Sequence, residues 1–166
     1  MYYKFNAAMA YLQYVLRHPP GAAAEIKGSE RYPGISGLIC FYPLRGETLV
    51  TVDVQGLPAE SDPCPYPVFG FHIHAGGRCQ GNAADPFAET DGHYNRDGCE
   101  HPYHNGDMPP LFASRDRAWM AFLTDRFTVE EIIGRTVVIH EHPDDFHTQP
   151  AGNAGVKIAC GEIVAV

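Results

Sequence analysis

Short alternating segments cut apart by glycine and proline are the feature that most restricts what this chain can fold into. In "ETLVTVDVQG", Val50, Val52 and Val54 fall on one face and Thr51, Asp53 and Gln55 on the other. That period-two pattern belongs to a strand with one buried side. "AAEIKG", "GISGLICFY", "VFGFHIH", "RAWMAFLTD", "RTVVIHE" and "VKIACGEIVAV" are further segments of strand length, and "PLRGET" reads as a hairpin connection. Seventeen glycines and fourteen prolines favour turns over long helices. One helical signal stands out inside the domain: in "TVEEIIG", Thr128 and Glu131 form a capping-box pair and Gly134 a stop. The expected architecture is all-β, an antiparallel sandwich or flattened barrel. It carries two long connections, residues 75 to about 116 and 141 to about 156, of a size that usually bears function.

Ahead of this domain, in "MYYKFNAAMAYLQYVLRHPP", Phe5, Met9, Leu12 and Leu16 recur at helical spacing and Pro19-Pro20 ends the pattern. Residues 1–20 are therefore read as an amphipathic helical extension packed on a domain of residues 21–166. No apolar run approaches the roughly 20 residues that span a bilayer. The start lacks a clear cleavage site, so a cytoplasmic location is expected, with export as the alternative. A formal charge of −8 without a basic cluster excludes nucleic acid and anionic membrane as partners.

The histidines are unevenly spread. His72 and His74 in "GFHIH" lie two apart, so both point from one face of a strand. His140 closes the apolar run "VVIH", and the polar stretch "GHYNRDGCEHPYHNGD" adds His93, His101, His104 and Asp107. Taken singly, each has an ordinary explanation as a surface pair, a strand-end histidine or a solvated loop. Together they make seven candidate ligands suited to zinc or copper, one short of two four-ligand sites. That count points to a binuclear site in which one imidazole serves both ions.

"GFHIH", "GHYN", "HNGD", "IIGRTVVIHEHPDD" and "AGNAGVKIACGEI" stand in the order and with the spacing of a known family. From about Ala22 to Val166 the chain resembles the copper/zinc superoxide dismutases, most of all those of bacterial type. The resemblance implies an immunoglobulin-like Greek-key β-barrel and disproportionation of superoxide to oxygen and hydrogen peroxide. It implies copper on His72, His74, His93 and His140, and zinc on His93, His101, His104 and Asp107. His93 would then be the bridging imidazolate, freed on copper reduction to carry a proton to the developing peroxide. Asp144 matches the aspartate that links His72 and His101 through their non-ligating nitrogens. Cys79 and Cys160 take the positions of the family's intrasubunit disulfide.

Lys157 stands where the resemblance implies an arginine beside the copper, keeping the charge without the planar fork of donors. The 141–156 loop holds no lysine or arginine, so a slower and less salt-sensitive enzyme than others of the family is expected, with Lys157→Arg a gain. A copper- and zinc-buffering protein on the same barrel is the alternative function, and a purely structural domain a third. The oligomeric state is left open, a homodimer included. Cys40 is expected to be a buried thiol, Cys64 and Cys99 could form a second disulfide that the sequence leaves open, and His142 and His147 are expected to be solvent-exposed. Trp119 and Phe122, on opposite faces of one strand, are expected to serve packing in the core or at an interface.

Overall fold

The computed structural model describes residues 6–58 and 67–166. Phe5 of the helical pattern and Cys64 of the suggested second disulfide lie outside these residues. A helix α1 (Asn6–Arg17) precedes strands β1 (Ala22–Gly28), β2 (Ser36–Leu44), β3 (Glu47–Gln55), β4 (Val68–Phe69), β5 (Phe71–His74), β6 (Leu111–Phe112) and β7 (Ala118–Thr124). A short helix α2 (Val129–Ile132) and strands β8 (Thr136–His140) and β9 (Lys157–Ala165) complete the order. None of the described helices is long and apolar enough to cross a membrane.

The strands form a curled antiparallel sheet in the order β5-β8-β9-β1-β2-β3-β7, with β4 and β6 as a separate two-stranded ribbon. β4 runs into β5 across Gly70 and β6 packs against β7, so the ribbon bridges the two edges of the sheet and closes the barrel. The alternation of β3 is realised: Val50, Val52 and Val54 are buried while Asp53 and Gln55 face solvent. Arg45 and Gly46 make the two-residue turn between β2 and β3, and Gly46 takes a left-handed φ of 79° that suits a residue without Cβ.

The barrel interior is aliphatic and aromatic, with Ile26, Ile39, Phe41, Phe71, Ile73, Ile139, Ile158 and Ile163 all shielded from water. Burying each such side chain is worth about 1.5–3 kcal/mol. On the outer face, α1 lays Tyr11, Tyr14 and Val15 over Cys40, Tyr42 and Leu49, and the Tyr14 hydroxyl donates to the Pro43 carbonyl at 3.0 Å. Cys40 is a buried thiol because that helix covers it. At α2, Glu131 reaches back to the Thr128 backbone N–H at 2.8 Å, and Gly134 adopts φ 82° just beyond the helix.

Two features depart from the strand pattern. "VFGFHIH" is two strands rather than one, broken at Gly70, where a Cβ would lie 2.8 Å from the Ala154 side chain. β6 is only two residues long and carries no alternation that could mark it. Trp119 is 65 % exposed on the outside of β7, so it belongs to the surface, while Phe122 packs against the core.

Candidate metal centre

The free edge of β5 organises the metal ligands. His72 and His74 project from that strand, and the long 75–110 connection folds back antiparallel beside it. The Ile73 N–H donates to the Gly106 carbonyl at 2.9 Å, and the Ile73 carbonyl accepts from the Tyr94 N–H at 2.8 Å. This docking sets His93 opposite His74 and Asp107 opposite His72. β8, on the other side of β5, ends in His140. His72, His74, His93 and His140 thus meet with their ligand atoms within 4.8 Å of one another, and His93, His101, His104 and Asp107 form a second such group. His93 belongs to both.

Hydrogen bonds on the outer side of each ring fix where its lone pair points. His74 donates from Nδ1 to the Asp91 carbonyl at 2.7 Å, and His140 Nδ1 faces the Gly155 carbonyl at 3.4 Å. Carbonyl oxygens only accept, so the ring protons sit on Nδ1 and leave both Nε2 atoms bare. Those two Nε2 atoms face each other at 3.2 Å. Two lone pairs so placed repel unless a cation lies between them. Metal–nitrogen bonds of about 2.0–2.1 Å set two ligands at a tetrahedral angle about 3.3 Å apart.

Asp144 does the same for the other rings. Its Oδ2 accepts from His72 Nε2 and its Oδ1 from His101 Nε2, each at 2.8 Å. Both rings therefore turn an unprotonated Nδ1 inward. His72 Nδ1, His93 Nε2, His101 Nδ1 and His104 Nδ1 are all buried without a hydrogen-bond partner among the described residues. Buried polar atoms are nearly always satisfied, so four orphans converging on two points match the donor set of bound metal. Asp107 faces the rings of the second group, with Oδ1 2.8 Å from His93 Nδ1 and Oδ2 3.1 Å from His101 Nδ1 and 3.5 Å from His104 Nδ1.

The electrostatics agree. Burial, reinforced by the neighbouring imidazoles, holds His74 well below the usual histidine range and His140 down to about 3. Burial likewise lowers His72 and His104. Burial opposes ionisation of Asp144, but hydrogen bonds from His72, the Phe146 N–H and His101 outweigh it and hold the carboxyl well below the carboxylate range. His72, His74, His104 and His140 are thus held toward the neutral form and Asp144 toward the ionised one, the protonation states that ligate metal.

A model of the family described as copper/zinc superoxide dismutase (SODC) matches residues 35–163 of this chain. The chain belongs to the copper/zinc superoxide dismutase family. The Cu-Zn superoxide dismutase numbered 2 from Aquifex aeolicus is 32% identical over 130 residues, covering 69% of this chain and 71% of that protein. The Cu-Zn superoxide dismutase of Deinococcus radiodurans is 31% identical over 152 residues, covering 80% of this chain and 79% of its own length. The extracellular Cu-Zn superoxide dismutase of Rattus norvegicus is 30% identical over 139 residues, or 77% of this chain and 54% of that protein.

As in the superoxide dismutase reading of the sequence, Cys79 and Cys160 form a disulfide, with their Cα atoms 5.6 Å apart. It pins the start of the metal-bearing connection to β9. Cys99 is exposed. His142 and His147 lie largely in solvent beside Glu141 and Asp145, away from both ligand groups. Lys157 is the β-sheet partner of His140, just past a bulge at Ile158 of β9, and its ammonium is held by Asp85. Sequence reasoning missed Asp85, and also Gly152, whose absent Cβ would lie 1.9 Å from Asp144 Oδ1. Asp85 meets Lys157 from 72 residues away, and Gly152 meets Asp144 only through the folding of their own loop, so no local pattern announces either.

Proposed function

We propose that this chain disproportionates superoxide, with copper on His72, His74, His93 and His140 and zinc on His93, His101, His104 and Asp107. The carrying observation is the set of inward-facing, unprotonated ring nitrogens in two ligand groups that share one imidazole. Bound copper supplies one-electron chemistry, oxidising one superoxide to oxygen and reducing a second to hydrogen peroxide, while redox-inert zinc supplies fixed positive charge.

The residues of the chain do the rest. His93 presents Nδ1 to the Asp107 side and Nε2 to the other group, so Nε2 is the atom that would hold one of the two protons hydrogen peroxide needs, the other coming from solvent. Asp144 orients one ring in each group and keeps their tautomers matched to the metals. The ligand residues are almost wholly shielded, which keeps bulk water from the inner nitrogens. Lys157 places a cation beside the copper-side ligand His140, in a molecule whose net charge otherwise repels an anion.

The test is direct. Protein reconstituted with copper and zinc is expected to bind one ion of each per chain and to accelerate superoxide decay in a stopped-flow assay. Full loading of both metals without faster decay would favour the buffering protein.

A further inference from the structure

Lys157 does not reach freely into solvent. Its Nζ donates to Asp85 Oδ2 at 2.8 Å and to the Phe87 carbonyl at 3.1 Å, and only 16 % of its side chain is exposed. Asp85 is itself held. Its Oδ1 accepts the Phe87 N–H at 2.9 Å, its N–H donates to Asn82 Oδ1, and its carbonyl accepts the Asn82 N–H at 2.8 Å. The turn 82–87 therefore clamps the ammonium with a fixed carboxylate. Phe87, Lys157 and Val156 line a cleft of about 800 Å³ that also takes in Arg31 and Tyr32 from the β1–β2 connection.

We propose that Asp85 is a rate-setting residue, holding Lys157 and cancelling much of the positive charge that an incoming anion would meet beside His140. This rests on the copper and substrate reading above. An ammonium and a carboxylate 2.8 Å apart act as a dipole rather than a cation beyond a few ångströms, and a dipole's attraction for an anion falls faster with distance. The 141–156 loop supplies no compensating lysine or arginine. Asp85 thereby sets the strength of the local attraction in an acidic molecule.

Asp85→Asn removes the charge and keeps a side-chain oxygen for the Phe87 N–H, so the turn is preserved. In copper- and zinc-loaded protein the variant is expected to bind azide at Cu(II) about threefold more tightly at low ionic strength, a small share of the range open to steering. kcat/KM for superoxide should rise by a similar factor, and both gains should fade as salt shortens the screening length to about 8 Å near 0.15 M. Asp85→Glu, which retains the charge, should stay close to wild type, and adding Lys157→Met to Asp85→Asn should abolish the gain. Unchanged or weaker azide affinity in metal-replete Asp85→Asn protein would overturn the proposal. Azide binding is read without turnover, so it decides the role of Asp85 even if the loaded wild type failed to consume superoxide.

Discussion

Asp144 has two oxygens, and each holds a different histidine by the nitrogen that faces away from the ligand cluster. An asparagine there could accept from only one of them, because its amide would meet the other ring donor to donor. That ring must then rotate or move its proton to the ligating nitrogen. Asp144→Asn is therefore expected to weaken metal affinity 10–100-fold, roughly the cost of losing such an orienting partner, as measured by chelator competition for zinc and copper. Gly152 protects the same arrangement by having no side chain. It sits at φ 65°, and a Cβ would fall 1.9 Å from Asp144 Oδ1 and 2.7 Å from His101 Nε2. Gly152→Ala is expected to lower the stability of the metal-free protein by about 1–3 kcal/mol, the range for overpacking, in urea unfolding. It should also reproduce the metal loss of Asp144→Asn. The side chains that converge in the two groups, and Asp144, were legible because they are distinctive residue types in spaced motifs. Gly152 was not, because one glycine among seventeen reveals its contact only when the loop is folded.

At the scale of elements, the loop that carries His101 and His104 is held from behind by the connection that follows β7. Arg126 donates from one guanidinium nitrogen to the Pro102 carbonyl at 2.9 Å and to the His104 carbonyl at 3.1 Å. Asn105 ties the same loop together, accepting from the Arg96 N–H and donating to the Arg126 carbonyl. Arg96 also pairs with Glu131 of α2. That pair is substantially exposed, so it contributes little by itself. Arg126→Met removes the two carbonyl contacts without changing a candidate ligand side chain. It is expected to cost zinc affinity about tenfold, toward the low end for supporting contacts, and to speed hydrogen exchange over residues 101–107. Unchanged exchange there would show that the Arg126 side chain does not hold the loop. The long strands were visible from their period-two pattern, and α2 from its cap. The split at Gly70 and the two-residue β6 were not, since segments of two to four residues contain too little pattern to read. The docking of the loop on β5 was equally hidden, because its backbone hydrogen bonds carry no side-chain signature.

For the whole molecule, charge and covalent closure set the limits. A formal charge of −8 opposes approach of an anion, and Lys157, the β-sheet partner of His140, is paired with Asp85. Wild-type kcat/KM should consequently change less than about twofold as ionic strength rises from 10 to 150 mM, although the Debye length falls from about 30 to 8 Å. A steep decline would mean that an unpaired positive field guides the substrate after all. The disulfide acts on the other side of folding. Cys79 and Cys160 are 81 residues apart, so the closed loop spans about half of the chain. Closing a loop that long removes chain entropy from the unfolded state worth on the order of 4 kcal/mol. In the native state the bridge also packs with Phe87 and Val138, next to the carbonyl that accepts from Lys157. The Cys79→Ser, Cys160→Ser double variant is expected to lose about 4 kcal/mol in urea unfolding of the metal-free protein. The slope against urea should rise, because the unlinked chain exposes more surface when unfolded. A loss under about 1 kcal/mol would mean that the reduced chain keeps this region together without the bond.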